Sequence, residues 1–226
     1  MICRNNKLFI IAITTVFTLI SASSSWAQGH EGHNHGPGDH TLVEVPIEEL
    51  NRATQLPEIS IGQANARITI IEYASMTCGH CGRFHRDLFP SVKAKYIDTG
   101  IARLVVREFP LEKLALAVAM LARCVAADKS YDFIATLFAR QQLWLQRGDI
   151  RPRLVAISKE FGMTERKFDK CLKDESLVKK ILADRRSAIE KLGVKSTPTF
   201  FINGMPLVGP QSIEEFDLII QPMLKR

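Results

Sequence analysis

The 226-residue chain predicts an α/β protein in which a β-α-β start and a β-β-α finish share one sheet, with a helical block inserted between them. Three observations carry this reading. Two β-branched runs, Ile68–Tyr73 (ITIIEY) and Ile101–Phe109 (IARLVVREF), flank a helical stretch. Residues 114–192 form a succession of segments with helical periodicity. Near the end, Thr199–Ile202 and Met205–Val208 flank Asn203-Gly204, a strong hairpin signal.

Taken in order, Arg4 and Lys7 precede the apolar run Leu8–Ile20, and small residues lead to Ala27. This pattern predicts a secretory signal peptide over residues 1–27. An uncleaved anchor is the alternative, but the run falls short of the roughly 20 apolar residues a span needs. Residues 28–55 read as a His/Gly-rich linker and N-terminal extension, with a short helix over Ile47–Ala53 and the ordered core starting near Leu56. The sheet domain is expected over 56–111 and 193–226, and the inserted helical domain over 112–192. The first strand, Ile68–Tyr73, leads into a helix over Cys78–Tyr96, bent at Pro90. After the second strand, helices are predicted over Leu114–Ala127, Tyr131–Trp144, Arg151–Phe161, Glu165–Leu172 and Leu177–Leu192. Gly193 is placed to cap the last of these. The hairpin follows, and Ile213–Leu224 closes the chain as an amphipathic helix.

Composition excludes other classes. An apolar fraction of 46% with 13 Gly and 10 Pro rules out a disordered or fibrous chain. Removal of residues 1–27 leaves a charge of +4, scattered in pairs such as Lys179-Lys180 and Arg185-Arg186. Nucleic-acid binding calls for a clustered basic stripe with motif support, and neither is present.

The chemistry concentrates at Cys78-Gly79-His80-Cys81, directly after the first strand. Helix-start N–H groups and the neighbouring imidazole of His80 favour a thiolate at Cys78, which weakens a Cys78–Cys81 disulfide relative to the dithiol. The alternatives fit less well. A zinc half-site lacks a second C-x-x-C, and an inert disulfide gains little from closing so short a loop.

Residues 72–84 (EYASMTCGHCGRF) and 193–204 (GVKSTPTFFING) together resemble the DsbA-type thiol:disulfide oxidoreductases, which are thioredoxin-like folds with an inserted helical domain. The resemblance covers roughly residues 57–226. It implies that Cys78 forms the mixed disulfide and that Cys81 is its buried partner. It also implies that Pro198 is a cis-proline facing the pair, with the backbone of Thr197 free to bind an extended substrate peptide. Glu72 matches a buried acid that tunes proton transfer at Cys81; read from the strand alone, it is equally a half-exposed glutamate. Two departures stand out. Gly-His replaces the Pro-His of strong oxidases, and Thr197 stands where they often carry Val. Both suggest a weaker oxidant or some isomerase character.

Cys124 and Cys171 fall on two predicted helices of the insertion, Leu114–Ala127 and Glu165–Leu172. In an oxidising compartment they are expected to pair as a structural disulfide, as in some DsbA-like proteins, with two separate buried thiols as the alternative. Cys3 leaves with the signal peptide. His30, His33, His35 and His40 could bind a metal loosely or simply lie on a solvated linker. His85 is expected on the exposed helix face and is given no role.

The expectation is an enzyme of the periplasm, monomeric and without a cofactor, that forms disulfides in reduced, unfolded exported proteins. Family resemblance implies reoxidation by a quinone-linked membrane partner of the DsbB type. One alternative is an isomerase or reductase kept reduced by a DsbD-type partner. The other is a copper-tolerance protein using the His-rich tail.

Overall fold

The computed structural model describes residues 43–225. The expected signal peptide with Cys3, and the tail histidines His30, His33, His35 and His40, lie outside the described residues.

Five strands form one mixed sheet in the order β1-β3-β2-β4-β5. They are β1 (Ile59–Ile61), β2 (Ile68–Ala74), β3 (Ala102–Glu108), β4 (Thr199–Ile202) and β5 (Met205–Val208). β2 and β3 are parallel, with Ile70 opposite Leu104. β4 runs antiparallel to β2, with Glu72 opposite Phe200. The β-α-β and β-β-α units therefore meet at the β2–β4 pair. The hairpin turns at Asn203 (φ 45°) and Gly204 (φ 97°), the two left-handed positions a tight hairpin requires. β5 is an edge strand, and it carries Pro206 where a sheet tolerates a missing N–H. β1 is the strand that sequence patterning misses, since three residues carry no readable period.

Both faces of β2 are covered, which accounts for its nearly unbroken apolar run. Ile68, Ile70 and Ala74 point into the larger core, while Ile71 and Tyr73 point into a second one with Phe109, Leu192 and Phe201. Strand alternation puts Glu72 on the side of Ile70 and Ala74. The second core also takes Leu50 and Ala53 from helix α1 (Ile47–Arg52). Arg107 donates to the Leu50 carbonyl at 2.7 Å, so packed structure begins ahead of the expected Leu56.

After β2 the chain enters α2 (Gly79–Arg83), passes a π turn at Phe84–Leu88, continues in α3 (Phe89–Val92) and ends in a second π turn at Lys93–Ile97. The expected bend at Pro90 takes this form for a steric reason. A proline gives no N–H and its ring crowds the carbonyl four residues back. The π turn before it widens the coil, with Phe89 N–H reaching five residues back to Phe84.

The insertion comprises α4 (Lys113–Cys124), a 3₁₀ turn at Ala127–Lys129, α5 (Ser130–Ala139), α6 (Gln141–Trp144), α7 (Arg151–Glu160), α8 (Glu165–Leu172) and α9 (Glu175–Leu192). α4 stops at Cys124, short of the expected Ala127, because Val125 turns to extended backbone. The single helix expected over Tyr131–Trp144 breaks at Arg140, whose φ and ψ of −102° and 15° leave the helical region. Gly193 ends α9 in the left-handed conformation. A disulfide joins Cys124 to Cys171, tying the end of α4 to α8. The last helix, α10 (Ile213–Leu224), starts at a capping box in which Ser212 and Glu215 satisfy each other's backbone.

Candidate active site

Cys78 occupies the N-cap of α2, with extended backbone, and its carbonyl accepts the first helical bond from Gly82 N–H at 3.0 Å. One helical turn then carries the chain to Cys81, which is fully buried, while Cys78 stays half-buried. Both thiols are free. The Cys78 thiol donates to the Thr197 carbonyl at 3.4 Å, so the loop before β4 lies against the reactive sulfur. The Thr197–Pro198 peptide in that loop is cis.

The two sulfurs differ sharply in acidity. A hydrogen bond from Cys81 lowers the Cys78 pKa to about 5 against the opposing effect of burial; the Thr197 side chain and the N–H groups of Cys81 and His80 assist. Burial pushes the Cys81 thiol well above its ordinary value, and the bond to Cys78 and the charge of Glu72 push it further. Proton and negative charge are thereby assigned to different sulfurs.

Glu72 has 0% exposure, so the strand reading of a half-exposed glutamate does not hold. Its partner corrects another expectation. His85 is not on an exposed face: its side chain is 4% exposed and its Nε2 lies 2.9 and 3.1 Å from the two Glu72 oxygens. The ring stacks on Phe138 of α5, 4.1 Å between centroids and 9° from parallel. His85 follows Cys81 by four residues, which places both on the same helix face. The spacing is consistent with burial, although it does not name the partner. Burial of Glu72 thus comes with a hydrogen-bonding partner, as a buried carboxylate requires.

The rest of the setting comes from the insertion and the loop after β5. Gln141 of α6, which sequence reasoning passes over, donates to the Met76 and Cys78 carbonyls at 2.8 and 2.9 Å. Thr77 donates to Glu112, which in turn caps α4. Beside the dithiol runs a groove of about 170 Å³, lined by His80, Arg83, Phe84, Leu88, Pro198 and Gln211. Cys78, Cys81, Glu72, Thr197 and Pro198 are therefore brought into one site, with His80 on its rim. Cys124–Cys171 lies elsewhere, within the insertion. Among the described residues no group of three or more His, Cys, Asp or Glu is arranged to hold a metal ion.

A sheet shared by β-α-β and β-β-α units, with a dithiol where the first helix begins and a cis-proline loop opposite, defines the class of thioredoxin-like dithiol proteins. Comparison with known proteins narrows this. The family model described as Thioredoxin matches residues 54–222, and the chain belongs to that family. A Rickettsia bellii protein, named provisionally as a protein-disulfide oxidoreductase, is 32% identical over 149 residues, 66% of this chain and 58% of that protein. Its Rickettsia felis counterpart is 30% identical over 169 residues, 74% of this chain and 60% of its own length. The matches span between 55% and 61% of the length of five such rickettsial relatives. Among solved structures, Wolbachia pipientis alpha-DsbA1 superimposes with a TM-score of 0.68 at 32% identity, over 77% of this chain and 95% of that one. Oxidised BdbD of Bacillus subtilis shares the fold at 21% identity, with a TM-score of 0.67 over 75% and 94% of the two chains.

Proposed function

We propose that the chain is an exported thiol:disulfide oxidoreductase of DsbA type, which forms disulfides in reduced, unfolded proteins of the periplasm. The observation that carries this reading is the asymmetry of the Cys78–Cys81 pair, with an acidic, accessible sulfur beside a buried one that holds its proton. The relatives named as protein-disulfide oxidoreductases and the DsbA neighbour support it.

In the oxidised enzyme a substrate thiolate attacks the Cys78 sulfur. The Cys78–Cys81 bond breaks, Cys81 leaves with the electron pair, and its raised pKa makes it take up a proton. A second substrate thiolate then attacks the substrate sulfur joined to Cys78. The mixed disulfide breaks, the substrate gains its disulfide, and Cys78 departs as a thiolate stable at neutral pH. The groove along His80, Phe84 and Pro198 offers the adjoining surface for the substrate chain. Two electrons remain on the dithiol, and a quinone-linked membrane oxidase of DsbB type would remove them. Cys78→Ser is expected to abolish oxidative refolding of a reduced, unfolded substrate; full retention of that activity sinks the proposal. Gly79-His80 and Thr197 favour one further reading, an isomerase or reductase kept reduced by a DsbD-type partner. The copper-tolerance alternative rests on the tail outside the described residues.

A further inference from the structure

The inserted helices reach the catalytic turn through one side chain that the chemistry above does not use. Gln141 is nearly fully buried at the start of α6, and both of its described donor bonds go to backbone carbonyls of the turn, Met76 and Cys78. Its carbonyl end lies over Gly82. A Cβ built on Gly82 would sit 2.1 Å from Gln141 Oε1 and 2.7 Å from Cδ, far inside contact distance. Gly82 has ordinary helical backbone rather than a left-handed one, so its conformation does not demand glycine. Space does.

We propose that Gln141 is a positioning residue that holds the Met76–Cys78 backbone in place from the insertion, and that residue 82 is glycine to admit its carboxamide. This rests on the oxidoreductase reading and deepens it by naming what sets the reactivity of the dithiol. The Cys78 sulfur is served by donors whose directions depend on the backbone of this turn: the N–H groups of His80 and Cys81, and Cys81 itself. Gln141 fixes the carbonyl at the N-cap of that helix, so the sulfur and its donors stay aligned. Without the carboxamide, the buried Met76 carbonyl loses its described donor and the turn relaxes to find another. The break at Arg140 acquires a purpose here, because it ends α5 and starts the short helix that presents Gln141.

The test uses Gln141→Met, which keeps the length of the side chain and removes both donors, and Gly82→Ala, which pushes the carboxamide off its seat while keeping it. Cys78 ionisation is followed by thiolate absorbance, and the dithiol–disulfide equilibrium is measured against glutathione. Each variant is expected to raise the Cys78 pKa by about one unit and to shift the equilibrium toward the oxidised form by up to about tenfold. In a Gln141→Ala background the effect of Gly82→Ala should largely disappear, leaving only the Arg86 guanidinium, 2.9 Å from the new Cβ, to swing aside. Folded variants with the parent pKa and equilibrium constant overturn the proposal. So does a Gly82→Ala effect that is the same in both backgrounds within about twofold, the ordinary scatter of independent sites. Gly82→Ala, compared in the parent and Gln141→Ala backgrounds, decides the matter even if Gln141→Met does not fold. A parent chain whose dithiol fails to exchange with glutathione would sink the oxidoreductase reading itself; a parent that exchanges, with unaffected variants, sinks only the role of Gln141.

Discussion

At the scale of single residues, the site separates a stable anion from a retained proton over one helical turn. Cys78 should titrate near pH 5 in the reduced chain, against an ordinary value of 9.0. A depressed pKa adds stability that is complete above the unfolded value and lost as pH falls through the folded one. The reduced form should therefore gain on the oxidised form between pH 5 and 9, which paired thermal melts across that range would reveal. Glu72 acts on the other sulfur. Glu72→Gln removes a charge that raises the Cys81 pKa, so alkylation of Cys81 in a Cys78→Ala background should start at lower pH; an unchanged profile would refute that coupling. Cys78, Cys81, Thr197 and Pro198 are legible in the sequence because spacing and motif place them. His85 and Gln141 are not, since a lone polar residue on an amphipathic segment has the pattern of a solvated face. Only the partner across the interface, a buried Glu72 or an unmet carbonyl, distinguishes the two cases.

At the scale of elements, most helices and the hairpin follow from periodicity and turn chemistry, and the departures have local causes. The helix after β2 absorbs Pro90 through π turns, and α5 and α6 part at Arg140, where periodicity continues but the backbone does not. The insertion carries its own fastening. Cys124 and Cys171 are 47 residues apart in sequence. A loop of that length stabilises by about 4 kcal/mol in the chain-entropy model. Replacing both with Ser should lower denaturant stability by an amount of that order. Exchange at Cys78–Cys81 should persist, because the bridge touches neither cysteine. Parallel loss of exchange in a folded variant would show that the insertion must be braced for the dithiol to work.

At the scale of the molecule, the α/β order and the placement of the insertion were readable because β2 and β3 are long and buried on both faces. The contribution of residues 45–53 to the core was not, as a six-residue helix with few apolar positions resembles a linker. The biological direction of the chemistry belongs to this scale too. Trapping thiols in intact cells should find Cys78–Cys81 predominantly oxidised if the chain donates disulfides; a predominantly reduced pair would move it to the isomerase reading. The sheet's two ends bear on the same task. An enzyme that receives unfolded chains meets many unpaired strands, each able to extend an open sheet by backbone bonding. Here one border is the three-residue β1 and the other is β5, interrupted by Pro206. Neither offers a long template for annealing, so under the proposed activity a client polypeptide could be held at the dithiol and then let go rather than nucleating an aggregate on the sheet.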